Sequence, residues 1–161
     1  KPVIAQVNGV ATAAGCQLVA SCDLAYASEI ARFSTPGVHI GLFCSTPMVA
    51  LSRNVATKHA MEMLLVGDMV SASDAQAIGL INRCVPESDL QTTVDEVAGK
   101  IASKSKDTLK VGKQAFYEQQ PMKVDAAYRY ASEVMVTNLL ADDAQEGISA
   151  FLEKRAPQWR S

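Results

Sequence analysis

Lys1-Pro2-Val3-Ile4-Ala5-Gln6-Val7-Asn8-Gly9 opens the chain and runs into Ala13-Ala14-Gly15-Cys16-Gln17-Leu18. Residues 3–7 are rich in β-branched side chains and bounded by Pro2 and Asn8-Gly9, which predicts a short buried strand. The small residues that follow let the backbone turn closely into a helix starting near Ala14. A strand, a tight small-residue turn and a helix start leave unpaired N–H groups facing one point in space. Such a point suits an anion or a developing oxyanion. The same geometry also serves as a plain packing turn, and spacing alone does not separate the two readings.

Working outward, 161 residues favour one domain large enough to bury a substantial core. Apolar residues make up 48% and aromatics only 6%, so that core is aliphatic and alanine-rich. The net charge of −2, from 15 basic and 17 acidic residues, gives no electrostatic case for nucleic acid or a membrane surface. No apolar run approaches the ~20 residues that span a bilayer. Cys16, Cys22, Cys44 and Cys84 show no C-x-x-C spacing and sit among apolar neighbours, so they read as small hydrophobes in a reducing compartment. With only His39 and His59 as nitrogen ligands, neither at ligand spacing from a cysteine, no zinc site is expected.

The first third alternates short strands and helices. After a strand over Val3–Val7 and a helix over Ala14–Ser21, Leu24–Ala27, the residues around Phe33, and Val38–Ile40 read as further strands. Thr46-Pro47 reads as an N-cap with proline at the first helical position, and Thr57 as the cap of a helix ending at Gly67. Ser71-Ala72-Ser73-Asp74 is a capping-box-like start, Gly79 a helix stop and Leu80–Pro86 a last extended segment. From Asp89 the pattern is helical, with Pro121 separating two helices and Asp142 or Asp143 opening the last. The chain therefore divides into an α/β part, 1–88, and a helical part, 89–161. No internal repeat or linker stands out.

Lys1 to Leu18, followed by Cys22-Asp23-Leu24-Ala25-Tyr26-Ala27, resembles the enoyl-CoA hydratase/isomerase (crotonase) family. Its pattern there is roughly K-P-x-I-A-x-V-N-G-x-A-x-G-G-G-x-E-L, then C-D-hydrophobic-x-x-A. The resemblance continues through Phe33-Ser34-Thr35-Pro36, Ile40-Gly41, Gly67-Asp68 to Ala75, Gly79-Leu80-Ile81-Asn82 and Glu146-Gly147 to Arg155. It implies the later part of a spiral of β-β-α units, a C-terminal helical region used for assembly as a homotrimer or a hexamer, and an upstream part preceding Lys1. It also implies a coenzyme A thioester as ligand, with no other cofactor. Gly41-Leu42-Phe43-Cys44-Ser45-Thr46-Pro47 looks most like a mitochondrial branch, so a mitochondrial location is expected by resemblance; no targeting segment is visible in this chain.

Hydrating an enoyl thioester needs N–H donors aimed at the thioester oxygen and carboxylates to move protons. In the family, one donor is the backbone N–H of the middle glycine of G-G-G, which is Ala14 here. The two family glutamates fall on Gln17, which cannot accept a proton at neutral pH, and on Gly37, which has no side chain. A positioned acid or base contributes about 10²–10⁴-fold, so ordinary hydratase activity is not expected. Isomerases of the family draw a carboxylate from the following loop, and none lies between Gly41 and Leu51.

Among substitutes, His39 would share a face with position 37 if that segment were a strand, although a structural histidine is the simpler reading. Asp23 reads as a cap or ion-pair partner, and His59 as surface. Cys44 and Ser45 lack a supporting His/Asp grouping for nucleophilic work. By resemblance, Lys154 occupies a position that approaches the coenzyme A of a neighbouring subunit, and Met135 replaces an adenine-stacking aromatic. Three readings stay open: an acyl-CoA binder of fatty-acid metabolism without hydratase activity, an acyl-CoA enzyme with altered chemistry (thioester hydrolysis or decarboxylation), and a non-catalytic oligomeric scaffold.

Overall fold

A computed structural model describes residues 1–161, which form two compact units: Val3–Ala98, and Gly99–Ser161 together with Lys1–Pro2. The first unit is built on two three-stranded sheets that the chain visits in turn. Strand β1 (Ile4–Val7) enters the first sheet, and Asn8-Gly9 carries the chain over to β2 (Val10–Thr12) in the second. Helix α1 (Ala14–Ser21) then returns it. Strand β3 (Leu24–Ser28) lies parallel to β1 with Ile4 opposite Leu24, and β4 (Arg32–Ser34) lies parallel to β2 with Val10 opposite Arg32. One β-β-α turn therefore advances the chain by about twenty residues. The spiral repeats in structure without repeating in sequence, because each strand is too short to carry a signature.

A five-residue 3-10 turn (Pro36–Ile40), α2 (Ser45–Leu51) and α3 (Thr57–Val66) complete the second turn of the spiral. The antiparallel edge strand β5 (Val70–Ser71) then pairs Val70 with Phe33, and α4 (Ala72–Ala77) leads to β6 (Arg83–Val85), parallel to β3. The core between these layers is aliphatic: Phe33, Leu51, Leu64, Ala27 and Cys16 are all essentially inaccessible to solvent. Phe33, shielded completely, is worth on the order of 1.5–3 kcal/mol relative to an exposed side chain.

Helices α5 (Leu90–Ala102), α6 (Lys106–Gln119), α7 (Val124–Leu139) and α8 (Asp142–Leu152) make up the remainder. Ser105 caps α6 by accepting from the Thr108 N–H at 3.1 Å. In the helical unit the chain end is clasped by two carboxylates. The half-buried Glu146 takes both guanidinium ends of Arg155, at 2.6 and 3.0 Å, and the Gln158 N–H at 2.8 Å. Asp143 is buried and accepts from the Ser161 hydroxyl at 2.5 Å and the Arg160 N–H at 2.7 Å. Trp159 donates its indole N–H to the Ser103 carbonyl at 2.8 Å. No helix is long and apolar enough to cross a membrane.

Three local expectations are corrected. Val38–Ile40 is not a strand. Pro36 presets a helical φ, and Gly41, at φ 73°, closes a 3-10 turn by donating to the Val38 carbonyl at 3.3 Å. Thr46-Pro47 is not a cap-plus-first-position pair either, because α2 already starts at Ser45 with Cys44 before it. Similarly, Thr57 is the first residue of α3, following Ala56 at the cap. Ser71 does cap α4, accepting from the Asp74 N–H at 3.1 Å; Asp74 returns the contact to the Ser71 hydroxyl rather than to its N–H.

Candidate functional site

Ala13 decides the geometry of the turn before α1. Its φ of 47° with ψ −113° is a conformation that glycine adopts freely and an L-residue reaches only with strain. Its N–H donates to the Ser34 carbonyl at 2.9 Å, which ties the turn to the end of β4. That end is itself held by fully buried hydroxyls: Ser34 donates to the Gly67 carbonyl at 3.0 Å and Thr35 to the Met63 carbonyl at 2.8 Å. With Ala13 turned this way, α1 begins without a side-chain cap, and the Ala14 N–H, at an exposed first position, finds no acceptor in the chain. The positive end of the helix adds to its pull on an anion. The Ala14 N–H, at the position where the family resemblance implies an oxyanion donor, therefore has no partner within the chain.

Gln17 sits one turn into α1, half-buried, with a side-chain amide that makes no hydrogen bond within the chain. It can donate or accept a hydrogen bond but holds no proton to exchange.

Gly37 is buried, and its environment goes beyond a missing carboxylate. A Cβ at this position would lie 2.2 Å from the Leu42 carbonyl oxygen and 2.9 Å from Cys44 Sγ. The loop folds back over it because the Leu42 N–H donates to the Gly37 carbonyl at 2.9 Å. The Leu42 carbonyl therefore occupies the space from which a side chain at position 37 would project.

His39 does not share a face with Gly37, because strand alternation does not apply to a 3-10 turn. Its Nε2 lies 2.9 Å from the Val66 carbonyl at the end of α3, which directs the ring to a structural contact. Asp23 accepts the Val3 N–H at 2.6 Å and so ties the start of β1 to the start of β3. Cys44 is buried before α2, whereas Ser45 is exposed with its hydroxyl on the Phe43 carbonyl at 3.3 Å.

Burial, with a smaller contribution from Cys44, pushes the Cys16 thiol up to about 11, so it stays protonated and is no nucleophile at neutral pH. His59 is exposed on α3. Met135, 69% exposed on α7, and Lys154, exposed just past α8 at φ 55°, belong to the helical unit. No cluster of histidine, cysteine and carboxylate side chains has metal-site geometry.

The features not anticipated from sequence are the Ala13 torsion, the Ser34 and Thr35 anchors and the Leu42 carbonyl over Gly37. Only Ser34-Thr35 carried a signal, as two hydroxyl residues between Phe33 and Pro36.

Comparison with known proteins places these features in context. A family model described as "Enoyl-CoA hydratase/isomerase" matches residues 1–161. The chain is 54% identical over 158 residues to the mitochondrial enoyl-CoA hydratase domain-containing protein 3 of Rattus norvegicus, covering 98% of this chain and 53% of that protein. Among solved structures it is similar to an enoyl-CoA hydratase of Mycobacterium smegmatis, with TM-score 0.97, 51% identity, and coverage of 99% of this chain and 62% of that one. It is similar also to human enoyl coenzyme A hydratase domain-containing protein 3, with TM-score 0.96, 55% identity, and coverage of 98% and 62%. The chain spans about half the length of the curated relatives it matches.

Proposed function

The chain belongs to the enoyl-CoA hydratase/isomerase family, and from that premise we propose that it binds acyl-CoA thioesters without hydrating them by the family's two-carboxylate route. The observation that carries this reading is the contact at Gly37: the position of one family glutamate is filled by the Leu42 carbonyl, while the Ala14 N–H remains free. A thioester oxygen placed at the start of α1 would accept from Ala14, with Gln17 three residues further along the helix as a neutral polar residue. Neither group removes a proton from water, so the oxygen is polarised without a base to complete hydration.

The free Ala14 donor also favours a second reading, an acyl-CoA enzyme whose chemistry needs an oxyanion donor and no general base from Gln17 or Gly37. Thioester hydrolysis or decarboxylation fits that description.

Assembly as a homotrimer is part of the proposal. The helical unit exposes Tyr128, Met135 and Leu140 to about 70% and Phe151 to 82%, apolar area that a symmetric partner would cover. Lys154 and Met135 are the residues we assign to the coenzyme A moiety. A mitochondrial role in fatty-acid metabolism is proposed from the similarity to relatives named mitochondrial.

Calorimetric titration of the full-length protein with butyryl-CoA and octanoyl-CoA, with product analysis of the same samples, tests the proposal. Saturable binding without product supports the binder, and release of free coenzyme A supports the second reading, in its thioester-hydrolysis form. Absence of binding at millimolar ligand would overturn both and leave a scaffold.

A further inference from the structure

A cavity of about 390 Å³ opens in the first unit between α3, the Gly67–Val70 segment and α4. It shares no residue with the Ala14, Gln17 and Gly37 site. Its apolar lining comes from Met63, Val66, Met69, Val70 and Ile78, and its polar lining is Glu62, Asp68, Asp74 and His59. Three carboxylates thus edge an apolar groove that contains no lysine or arginine. Asp74 is engaged by the Ser71 hydroxyl at 2.5 Å, whereas the Glu62 and Asp68 side chains have no hydrogen bond or ion pair within the chain.

From this complementarity of charge and apolar surface, we propose that the groove binds a small organic cation: an ammonium group carried on a short aliphatic chain. The volume lies in the range of small-molecule sites, about 300–1,000 Å³. Met63, 3% exposed on α3, and Met69 supply flexible thioether surface that adapts to an aliphatic chain. The carboxylates repel anions, so phosphate-bearing coenzyme A thioesters are excluded, and the proposal stands independently of the acyl-CoA reading.

The test is titration of the full-length protein with hexyltrimethylammonium, followed by NMR of ¹³C-labelled methionine methyl groups. Saturable shifts confined to Met63 and Met69 are expected, with affinity on the order of millimolar for so small a ligand. Hexanoate should leave both resonances in place, and an acyl-CoA should not displace the ammonium. The double variant E62Q/D68N removes two exposed charges and should weaken binding by about 3- to 30-fold while leaving the melting temperature unchanged. Equal shifts with hexanoate, undiminished binding by a folded E62Q/D68N, or no saturation with the ammonium would each overturn the proposal.

Discussion

Replacing Gly37 with alanine asks whether the space beside position 37 is filled. The new Cβ would sit 2.2 Å from the Leu42 carbonyl oxygen, about 0.8 Å inside the 3.0 Å that real Cβ contacts respect. Backbone cannot rotate out of the way as the end of a long side chain can. Moving the Leu42 carbonyl strains the Leu42 N–H to Gly37 and Gly41 N–H to Val38 hydrogen bonds and pushes Cys44 away from the start of α2. Two weakened backbone hydrogen bonds at about 1 kcal/mol each, with an overpacking cost of about 1–3 kcal/mol, sum to roughly 3–5 kcal/mol.

For a domain of this size that lowers the melting temperature by roughly 6–20 °C. Circular dichroism melting of G37A beside G99A reads it. Gly99 lies in α5 with nothing within 4 Å of the place an added methyl group would take, so alanine there should stabilise by about 0.5–1 kcal/mol. A G37A protein melting within two or three degrees of wild type, about 1 kcal/mol, would refute the filled-space reading. For the same reason Q17E/G37E should not create crotonyl-CoA hydration, because the second carboxylate has no room to reach the pocket.

Ala13→Gly should relieve the torsion at φ 47° and stabilise the chain by about 1 kcal/mol, read as a rise in denaturation midpoint; a fall would show that Ala13 is not strained. The clasp around the chain end depends on two depressed carboxyls. The hydroxyls of Ser161 and Ser105 and the Arg160 N–H hold Asp143 near 2, against 3.8 ordinarily. The Arg155 guanidinium and the Gln158 N–H hold Glu146 near 2, against 4.5. Depressed carboxyls stabilise the folded state above the unfolded values, and that contribution is lost as pH falls through the folded ones. Fluorescence of Trp159, the single tryptophan, should therefore report release of the clasp between about pH 4.5 and 2, and D143N should reduce the transition while leaving the Glu146 contribution in place. Native-state iodoacetamide labelling followed by peptide mass analysis should leave Cys16 unmodified, because its thiol is buried and held protonated; rapid labelling would contradict that environment.

The residues that defined the fold in the sequence were those whose neighbours are local. The β-branched run before Asn8-Gly9 and the small residues after it marked β1 and α1, and Asp142 marked α8. Val38-His39-Ile40 misled because β-branched residues favour strands, while Pro36 and the left-handed Gly41 impose a turn that the Gly41 N–H closes. Strands β2 and β5, three and two residues long, are too short for periodicity to register. The break between α5 and α6 was not legible, because residues 103–105 contain neither glycine nor proline. At the candidate site, the start of α1 at Ala14 was legible because the strand, turn and helix pattern is contiguous there. The meaning of Gly37 was not legible, because what excludes a side chain arrives five to seven residues later, when the loop folds back.

In the function proposed above, the site keeps an oxyanion donor and lacks a base. The most direct test of that proposal is the ¹³C NMR spectrum of crotonyl-CoA, labelled at the thioester carbonyl, saturating the full-length protein. The bound carbonyl should shift downfield through the Ala14 hydrogen bond, with the enoyl signal persisting indefinitely. Conversion to the 3-hydroxyacyl thioester, or a carbonyl that does not move at saturation, would contradict it.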